Sequence, residues 1–211
     1  MITKAIVYDV ESITEVPDGL QDQYNLYLQN SKSGFVSYPQ FNRTICIGWI
    51  LIEKLSNDAP WQICKLNGKP KMDAFVGDDE STIVKNFLNV LNTNNCSLYI
   101  GYNNKAYDNP LIKWKAYKYK LDIPYGFMDN YKYNLRPVYD VKLAYNDFDQ
   151  YPLNLRTLCI SLGINNPQAN SEGAAVAALF GNKEYTKISE YCIEDLKSTL
   201  EAFKLIYKYK N

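Results

Sequence analysis

The amino-acid sequence predicts an α/β protein built on a central mixed sheet, and two observations lead there. Apolar runs rich in β-branched residues, which are typical of strands, dominate the first third of the chain, and segments with helical spacing dominate the rest. The predicted order is three strands, then helices alternating with two further strands, then three helices. We therefore expect an antiparallel start to the sheet, later parallel strands joined through helices, and helices flanking the sheet.

The first three strands follow from local composition. Ala5–Glu11 and Thr44–Glu53 are apolar and rich in β-branched residues. Trp61–Leu66 is a shorter run of the same kind that ends at the turn dipeptide Asn67–Gly68. These three runs predict the antiparallel part of the sheet.

A polar segment over residues 12–43, with two prolines and two glycines, separates the first two strands. We expect a long connection that contains one short helix at about Gln21–Leu28. Connections of this length are uncommon in compact domains and are often functional. We expect this one to shape access of a substrate.

Helical spacing and end signals define the later elements. Asp78 or Asp79 is suited to cap the first helix, and Asp108 or Asn109 the second, while glycines end two others. The predicted elements are a helix at Glu80–Leu91, a strand at Ser97–Tyr102, a helix from Pro110 to about Tyr119, a strand at Pro137–Val141, and helices at Leu153–Leu162, Gly173–Phe180 and Lys187–Tyr209.

Composition restricts the class of protein. The 211 residues suit one domain, which we place over the whole chain, and 46% hydrophobic with 22% charged residues is typical of a globular fold. Lys plus Arg and Asp plus Glu both number 23, so the chain as a whole is not a basic nucleic-acid binder, although a local basic strip is compatible with this balance.

The chain has no histidine. This excludes Ser-His-Asp and Cys-His catalysis, histidine-ligated zinc and a histidine general base. Any acid–base or metal chemistry must therefore come from carboxylates, tyrosine, lysine or cysteine.

Cysteine usage indicates a reduced, cytoplasmic setting. The five cysteines form no C-x-x-C pair, their number is odd, and most lie in apolar runs, so we expect free core residues. We expect neither a signal peptide nor a membrane span, because a strand-like run follows the N-terminus directly and the longest apolar run is short. The excess of lysine over arginine suits an AT-rich genome, such as that of a phage or of a low-GC bacterium.

Two carboxylates stand two residues apart on the first predicted strand, Asp9 and Glu11. Strand geometry places both on one face, where they repel each other unless a cation lies between them, so the pair suggests an oxygen-ligated divalent metal. A D-x-E of this length is common by chance. The same pattern at Asp78 and Glu80 is better explained as a capped helix start.

Two further acids complete the set of candidates. Tyr191 and Asp195 lie four apart on the last predicted helix and share a face; the other Y-x-x-x-D pairs, at Tyr125 and Tyr145, lie in segments that look irregular. Asp108 stands where a strand gives way to a helix. It is either a plain helix cap or a ligand-binding acid at the carboxyl end of a strand.

The order of these three motifs resembles the tyrosine-containing branch of the DEDD superfamily of 3′-5′ exonucleases. The motifs are Val7–Glu11, Gly101–Ile112 and Tyr191–Asp195. The second is similar to the second exonuclease motif of family B DNA polymerase proofreading domains, with Asn103 five residues before Asp108. The resemblance covers about residues 5–206 and implies an RNase H-like fold. The sister branch needs a catalytic histidine, which this chain lacks.

The resemblance implies hydrolysis of phosphodiester bonds with two Mg²⁺ or Mn²⁺ ions about 3.5–4 Å apart. By that resemblance Asp9 bridges both ions, Glu11 and Asp195 complete the site that activates the attacking water, and Asp108 holds the second ion. Tyr191 would orient the water. An all-oxygen site suits Mg²⁺ or Mn²⁺ better than zinc.

Other residues are assigned by the same resemblance. Asn103 and Tyr107 are expected to contact the terminal nucleotide, and Tyr107 stands where phenylalanine is commoner. Asp140 matches a recurring aspartate, and we expect it to lie near the site or to be structural, without binding metal. Glu194 either enters the site or faces water.

The segment Lys113–Lys120 alternates basic and aromatic residues. Single-strand binders combine basic grooves with stacking rings, but helical periodicity alone explains the pattern. We expect an amphipathic helix whose aromatic residues pack inward under lysine stems. The C-terminal Tyr207–Lys210 is expected to be a fraying, solvated helix end.

The sequence therefore predicts removal of nucleotides from the 3′ end of single-stranded DNA, in proofreading or repair. RNA is the alternative substrate on the same fold, and a catalytically silent nucleic-acid-binding module is the alternative of another class. The presence of all four acids and the tyrosine favours the enzyme. A separate DNA polymerase is a candidate partner, because no polymerase domain follows in the chain.

Overall fold

The computed structural model describes residues 3–31, 38–148, 153–165 and 174–210. Its strands are β1 (Thr3–Thr14), β2 (Asn42–Lys54), β3 (Gln62–Ile63), β4 (Lys65–Leu66), β5 (Lys69–Pro70), β6 (Met72–Val76), β7 (Leu98–Gly101) and β8 (Val138–Asp140). Its helices are α1 (Gln21–Asn30), α2 (Glu80–Asn94), α3 (Asp108–Tyr119), α4 (Val141–Tyr145), α5 (Leu155–Ser161), α6 (Ala174–Gly181) and α7 (Tyr185–Lys210), with short 3-10 helices at Pro39–Phe41 and Tyr125–Met128.

The central sheet is mixed, which confirms the predicted fold class. Its strands lie in the order β3-β2-β1-β7-β8, with β6 also paired to β2. β1 pairs antiparallel with β2 along its whole length, whereas β7 pairs parallel with β1 and β8 parallel with β7. The carboxyl ends of β1, β7 and β8 therefore meet at one edge of the sheet.

The first two strands extend beyond their predicted ends. Ser12–Thr14 continue β1 and pair with residues 42–44 after a register shift, so the predicted connection over residues 12–43 is shorter at both ends. The pairing buries Asn42 and Thr44 and packs Ile13 against the core, so tertiary contacts extend the strands into polar sequence. The short helix within the connection is confirmed as α1.

The third predicted strand is divided in the structure. Trp61–Leu66 yields only β3 and β4, and β4 pairs with β5 across the Asn67–Gly68 turn, where both residues have positive φ. The strand that pairs with the middle of β2 is β6, which the sequence analysis missed. The run has only five residues, contains a charged residue, and lies between Pro70–Lys71 and Gly77–Asp79, which concealed it in the sequence.

Helix ends differ from prediction by a few residues. Of the two candidate caps of α2, the structure selects Asp79, whose side chain accepts from the Thr82 N–H (3.2 Å). Helix α3 begins at Asp108, and Tyr107 precedes it at the cap position. Asn154 caps α5, α7 begins at Tyr185, and α4 was not predicted. Of the predicted helix at Gly173–Phe180, the first residue lies outside the described part of the chain.

Helices cover both faces of the sheet, and alternate residues of β1 supply both cores. Ile6 and Tyr8 pack with α2 and α3, whereas Ala5 and Val7 pack with α7 on the opposite face. Period-two alternation makes both faces of β1 apolar, as expected of a strand buried on both sides. It also turns Asp9 and Glu11 toward the α7 face.

All five cysteines are buried and free, as predicted. Among the helices of the described residues, none combines the length and the apolar character needed to cross a membrane.

Two expectations about helix surfaces were wrong. On α3, Trp114 and Tyr117 are 47% and 60% exposed, while Lys115 is 4% exposed and pairs with Glu80 at 2.9 Å. The buried Glu80 on α2 thus determines which face of α3 is buried, and this is not the face that the aromatic residues predicted. At the end of α7, Tyr209 is 82% exposed as predicted, whereas Tyr207 is half-buried because its ring packs against Trp61, Tyr139 and Phe203.

Candidate active site

The structure brings five predicted residues together at the carboxyl edge of the sheet: Asp9, Glu11, Asp108, Tyr191 and Asp195. They come from three elements, β1, α3 and α7. Each charged group perturbs the titration of others in the set, which shows that the side chains lie close to one another.

The start of α3 is fixed to β1 by a side chain. Asp108 is buried and its Oδ1 accepts a hydrogen bond of 3.0 Å from the N–H of Val10, the residue between Asp9 and Glu11. Asp108 is therefore not the predicted helix cap but the first residue of α3, and its side chain joins two of the three elements of the site.

Helix α7 completes the site from the opposite side. Cys192 lies against Asp9, with its Sγ 3.8 Å from both the backbone oxygen and Oδ2 of Asp9. Candidate ligand atoms of Asp9, Glu11 and Cys192 all lie within 4.8 Å of one another. This contact places Tyr191 and Asp195 on the turns of α7 that face the strand.

Burial and mutual repulsion raise the carboxyl pKa values. Desolvation is the largest cause for Asp9, whose pKa rises to about 6, and for Asp195, whose pKa rises to about 7. The pKa values of Glu11 and Asp108 also lie well above their ordinary values, first through burial and then through the charge of Asp9. The site thus stores electrostatic repulsion that a cation would relieve.

Tyr191 and Asp195 interact along one face of α7. A hydrogen bond from the tyrosine hydroxyl lowers the pKa of Asp195, though less than burial raises it. The pKa of Tyr191 is raised, first by burial and then by the charges of Asp195, Glu11 and Asp9. Tyr191 therefore stays protonated at neutral pH and acts as a hydrogen-bond donor.

Gly48 is a site residue that the sequence analysis missed. It pairs with Asp9 across the β1–β2 ladder, and a Cβ there would lie 2.6 Å from Cys192 Sγ and 2.8 Å from Leu196 Cδ1. A lone glycine inside an apolar strand signals a close approach of another element, and this signal was available in the sequence.

Asp140 organises the loop that carries Asn103. Its carboxylate accepts from the N–H groups of Asn103 (3.1 Å) and Lys105 (3.2 Å), and it also caps α4 through Lys142 and Leu143. Asn103 itself has a left-handed φ of 59°. The buried carboxylate of Asp140 thus accepts hydrogen bonds from four backbone N–H groups, which agrees with the expected structural role.

Asn103 is oriented by a second contact. Lys142 Nζ donates to Asn103 Oδ1 at 3.3 Å. Because Lys142 occupies the amide oxygen of Asn103, the amide nitrogen is oriented to donate to another acceptor. Lys142 and Asn103 both line a cavity of about 480 Å³ beside this loop.

The remaining candidates lie at the margins. The Tyr107 hydroxyl forms a hydrogen bond with Ser12 Oγ. Burial raises the pKa of Tyr107 to about 12, and the nearby charges of Asp108, Glu11 and Asp9 contribute to this increase. Glu194 pairs with Lys197 on the helix surface. Of the alternative Y-x-x-x-D pairs, Tyr125 begins a 3-10 helix and Asp149 lies outside the described residues.

The second D-x-E serves the fold. Glu80 is buried at the start of α2, where it accepts from the Thr44 N–H (2.7 Å) and from the Tyr119 hydroxyl (2.6 Å) in addition to its Lys115 pair. This agrees with the helix-start interpretation of Asp78 and Glu80.

A family model for a "predicted 3′-5′ exonuclease related to the exonuclease domain of PolB" matches residues 35–209. The chain belongs to this exonuclease family. The match includes Asp108, Tyr191 and Asp195, whereas Asp9 and Glu11 precede it. The tyrosine-containing branch is not distinguished by this match. No curated protein matches the chain.

Solved structures agree with the family at the level of the fold. A family B DNA polymerase from the hyperthermophilic archaeon Pyrobaculum calidifontis aligns with 97% of this chain and 24% of its own, at 13% identity and a TM-score of 0.62. E. coli Exonuclease I in complex with a dT13 oligonucleotide aligns with 97% of this chain and 41% of its own, at 13% identity and a TM-score of 0.52. The chain thus has an RNase H-like fold and spans less than half of either protein.

The donor atoms of this exonuclease-family site fit hard divalent cations. Four carboxylates supply oxygen ligands of the kind that Mg²⁺ and Mn²⁺ prefer. The charges of neighbouring carboxylates contribute to the raised pKa values of three of them, Glu11, Asp108 and Asp195. Cys192 Sγ lies beside Asp9 and Glu11, and its hydrogen stays on the thiol because its pKa is raised well above its ordinary value by Cys46 and by burial.

Proposed function

We propose that the chain removes nucleotides from the 3′ end of single-stranded DNA with two divalent cations, Mg²⁺ or Mn²⁺. The observation that carries this proposal is the convergence of Asp9, Glu11, Asp108 and Asp195 in one desolvated cluster on an exonuclease-family fold. Such a cluster is costly without a cation, and structural acids are rarely gathered this way.

Each residue has a role in this proposal. Asp9 and Glu11 on β1, Asp108 on α3 and Asp195 on α7 hold the cations. Bound divalent cations supply a water of lowered pKa and stabilise the charge that develops on the leaving oxygen. Tyr191, as a protonated donor beside Asp195, orients the attacking water.

The strand end is proposed to lie along the loop after β7. Asn103 offers its amide nitrogen to the terminal nucleotide, and Tyr107 closes the site beside Ser12. The oligonucleotide in the E. coli Exonuclease I complex supports single-stranded DNA as the substrate class. A DNA polymerase as a separate partner stays a prediction.

The experiment is degradation of a 5′-labelled single-stranded DNA by the purified chain, with RNA of the same sequence and a DNA with a blocked 3′ end in parallel. We expect a ladder that shortens from the 3′ end, needs Mg²⁺ or Mn²⁺, and is slower on RNA and on the blocked strand. Equal or faster loss of RNA would reassign the substrate. Binding of both strands without cleavage in either metal would make the chain a silent binding module.

A further inference from the structure

A basic groove of about 850 Å³ lies at the edge of the molecule opposite the candidate active site. Lys54, at the end of β2, lines it and pairs with Thr3 in the register that pairs Gly48 with Asp9. Six residues of strand separate the two positions, which corresponds to about 20 Å. The groove is therefore distinct from the carboxylate cluster.

The groove concentrates positive charge in a chain without net charge. Four cations line it, and Asp58 is the single acid among its lining residues. Of the cations, Lys204 pairs with Glu201 at 2.7 Å, whereas Lys54, Arg136 and Lys208 form no ion pair with any carboxylate in the described parts of the chain. The lining residues that carry the argument are Lys54, Trp61, Arg136, Lys204, Tyr207 and Lys208.

Aromatic rings hold two of these cations in place. Lys54 is 9% exposed, and its Nζ lies 5.4 Å from the Trp61 ring centroid and 5.6 Å from that of Tyr207. The Arg136 guanidinium lies 5.7 Å from the Tyr207 centroid and bonds its hydroxyl. Such contacts stabilise a cation without neutralising it and restrict its motion. The charges are thus positioned before a ligand arrives.

A further donor lies in the wall of the groove. Trp61 is 8% exposed, and its Nε1 has no hydrogen-bond partner within the described residues. Lys54 Nζ also donates to Asn57 O at 3.2 Å, so it is held in place by a neutral partner. The rings of Trp61 and Tyr207 already carry cations, which leaves less aromatic face for a base to stack on. This favours an anion bound by its charged oxygens, and the guanidinium of Arg136 matches a phosphate in geometry.

We propose that this groove is a second binding site for single-stranded nucleic acid, which holds backbone phosphates of a strand whose 3′ end lies at the carboxylates. The proposal rests on the proposed exonuclease function, because that function supplies a polyanion at the right distance. At about 3.4 Å per stacked nucleotide, 20 Å needs about six nucleotides. The path over the surface is longer than this direct distance, so only longer strands reach both sites.

The test compares dT5 with dT20 for the wild-type chain and the double variant Arg136→Gln/Lys208→Gln. Both glutamines remove the charge and keep a polar, unbranched side chain, and thermal melting checks the fold. Lys65→Gln/Lys85→Gln removes two exposed lysine charges elsewhere as a matched control. Binding is measured by fluorescence anisotropy in EDTA at several salt concentrations, so that nothing is cleaved. KM and kcat are then measured with Mg²⁺ or Mn²⁺.

We expect the groove variant to bind dT20 about tenfold more weakly, with a salt dependence reduced by about 1.4 in slope for two lost phosphate contacts. Its KM for dT20 should rise, while kcat and all values for dT5 stay those of the wild type. An unchanged dT20 affinity with normal degradation of dT5 would overturn the groove proposal alone. Absence of dT5 degradation would overturn the proposed function, and anisotropy would still test the groove. Labelled hexa-aspartate is measured in the same anisotropy assay. If the groove variant lost binding of this peptide and kept that of dT20, the groove would be a site for acidic peptides, which would overturn the proposal.

Discussion

The N–H of Val10 donates a hydrogen bond of 3.0 Å to Asp108 Oδ1, and this contact joins β1 to the first residue of α3. Asp108 comes 98 residues later in the chain. Because Val10 lies between Asp9 and Glu11, the bond fixes the position of Asp108 relative to both. One side chain therefore serves the fold and the candidate metal site.

Two substitutions separate these roles of Asp108. Asp108→Asn retains an oxygen that accepts from Val10 but removes the charge, so we expect activity to fall more than a hundredfold with a melting temperature at or above that of the wild type. Asp108→Ala also leaves the buried N–H of Val10 without an acceptor, which costs about 1–3 kcal/mol. Thermal melting and initial rates on single-stranded DNA measure both effects. Equal activity of the wild type and Asp108→Asn would contradict a metal-binding role.

Gly48→Ala tests the contact between the sheet and α7. The new Cβ would lie 2.6 Å from Cys192 Sγ and 2.8 Å from Leu196 Cδ1, so these side chains must give way. Because both are packed against the sheet, we expect α7 to move with them and to carry Tyr191 and Asp195 away from Asp9. We expect a loss of about 1–3 kcal/mol in unfolding free energy and at least a tenfold lower kcat. Adding Cys192→Ala should restore part of both.

Gly181→Ala is the control for this test, because nothing lies within 4 Å of a Cβ built there. It should behave as the wild type in melting and in turnover. If Gly48→Ala retained full kcat despite a lower melting temperature, the position of α7 would not matter for the chemistry.

Stability of the metal-free protein should depend on the titration of Asp195. Its pKa rises from 3.8 to about 7, so between about pH 4 and pH 7 the folded state holds a proton that the unfolded chain has lost. The stabilising contribution of this proton is complete below pH 4 and is lost as the pH rises through 7. Asp195→Asn does not titrate, so its melting temperature should gain about 10 °C on the wild type across this range.

Mg²⁺ or Mn²⁺ should then raise the melting temperature of the wild type above pH 7 and leave that of Asp195→Asn nearly unchanged, because the cation replaces the lost proton. Differential scanning fluorimetry from pH 4 to 8, with and without metal, measures both. A difference between the two proteins that does not vary with pH would show that Asp195 is not desolvated with its neighbours.

Lys142→Met tests the orientation of Asn103. The substitution removes the donor to Asn103 Oδ1 and keeps the length of the side chain. We expect KM for single-stranded DNA to rise about threefold to tenfold with little change in kcat, because the lost contact orients substrate and not the reacting atoms. Lys132→Met, in the same cavity but without this bond, controls for loss of a nearby charge. Equal effects of both variants would reduce Lys142 to a general electrostatic role.

Much of the site could be predicted because its residues lie at fixed points of regular elements. Asp9 and Glu11 share a face by strand periodicity, and Tyr191 and Asp195 share one by helical periodicity. Spatial convergence of these pairs with Asp108 needed the resemblance to a family, since spacing along the chain carries no information on contacts 98 residues apart.

Features set by long-range contacts were missed. Lys115 is buried because it forms an ion pair with the buried Glu80 on α2. The alternation of basic and aromatic residues alone therefore predicted the wrong buried face of α3, with Trp114 and Tyr117 inside. Tyr207 is packed because Trp61 and Tyr139 lie against the end of α7. β6 is a strand because it pairs with β2, and its five residues alone do not predict this pairing.

The measurement that tests the central claim most directly is the shortening of a 5′-labelled single-stranded DNA by the wild type and by Asp9→Asn, in Mn²⁺ and in EDTA. Asp73→Asn, at an exposed acid on β6, is the matched control. The account predicts a metal-dependent ladder from the 3′ end for the wild type and the control, and a rate at least a thousandfold lower for Asp9→Asn. Cleavage by Asp9→Asn at the rate of the wild type would contradict it.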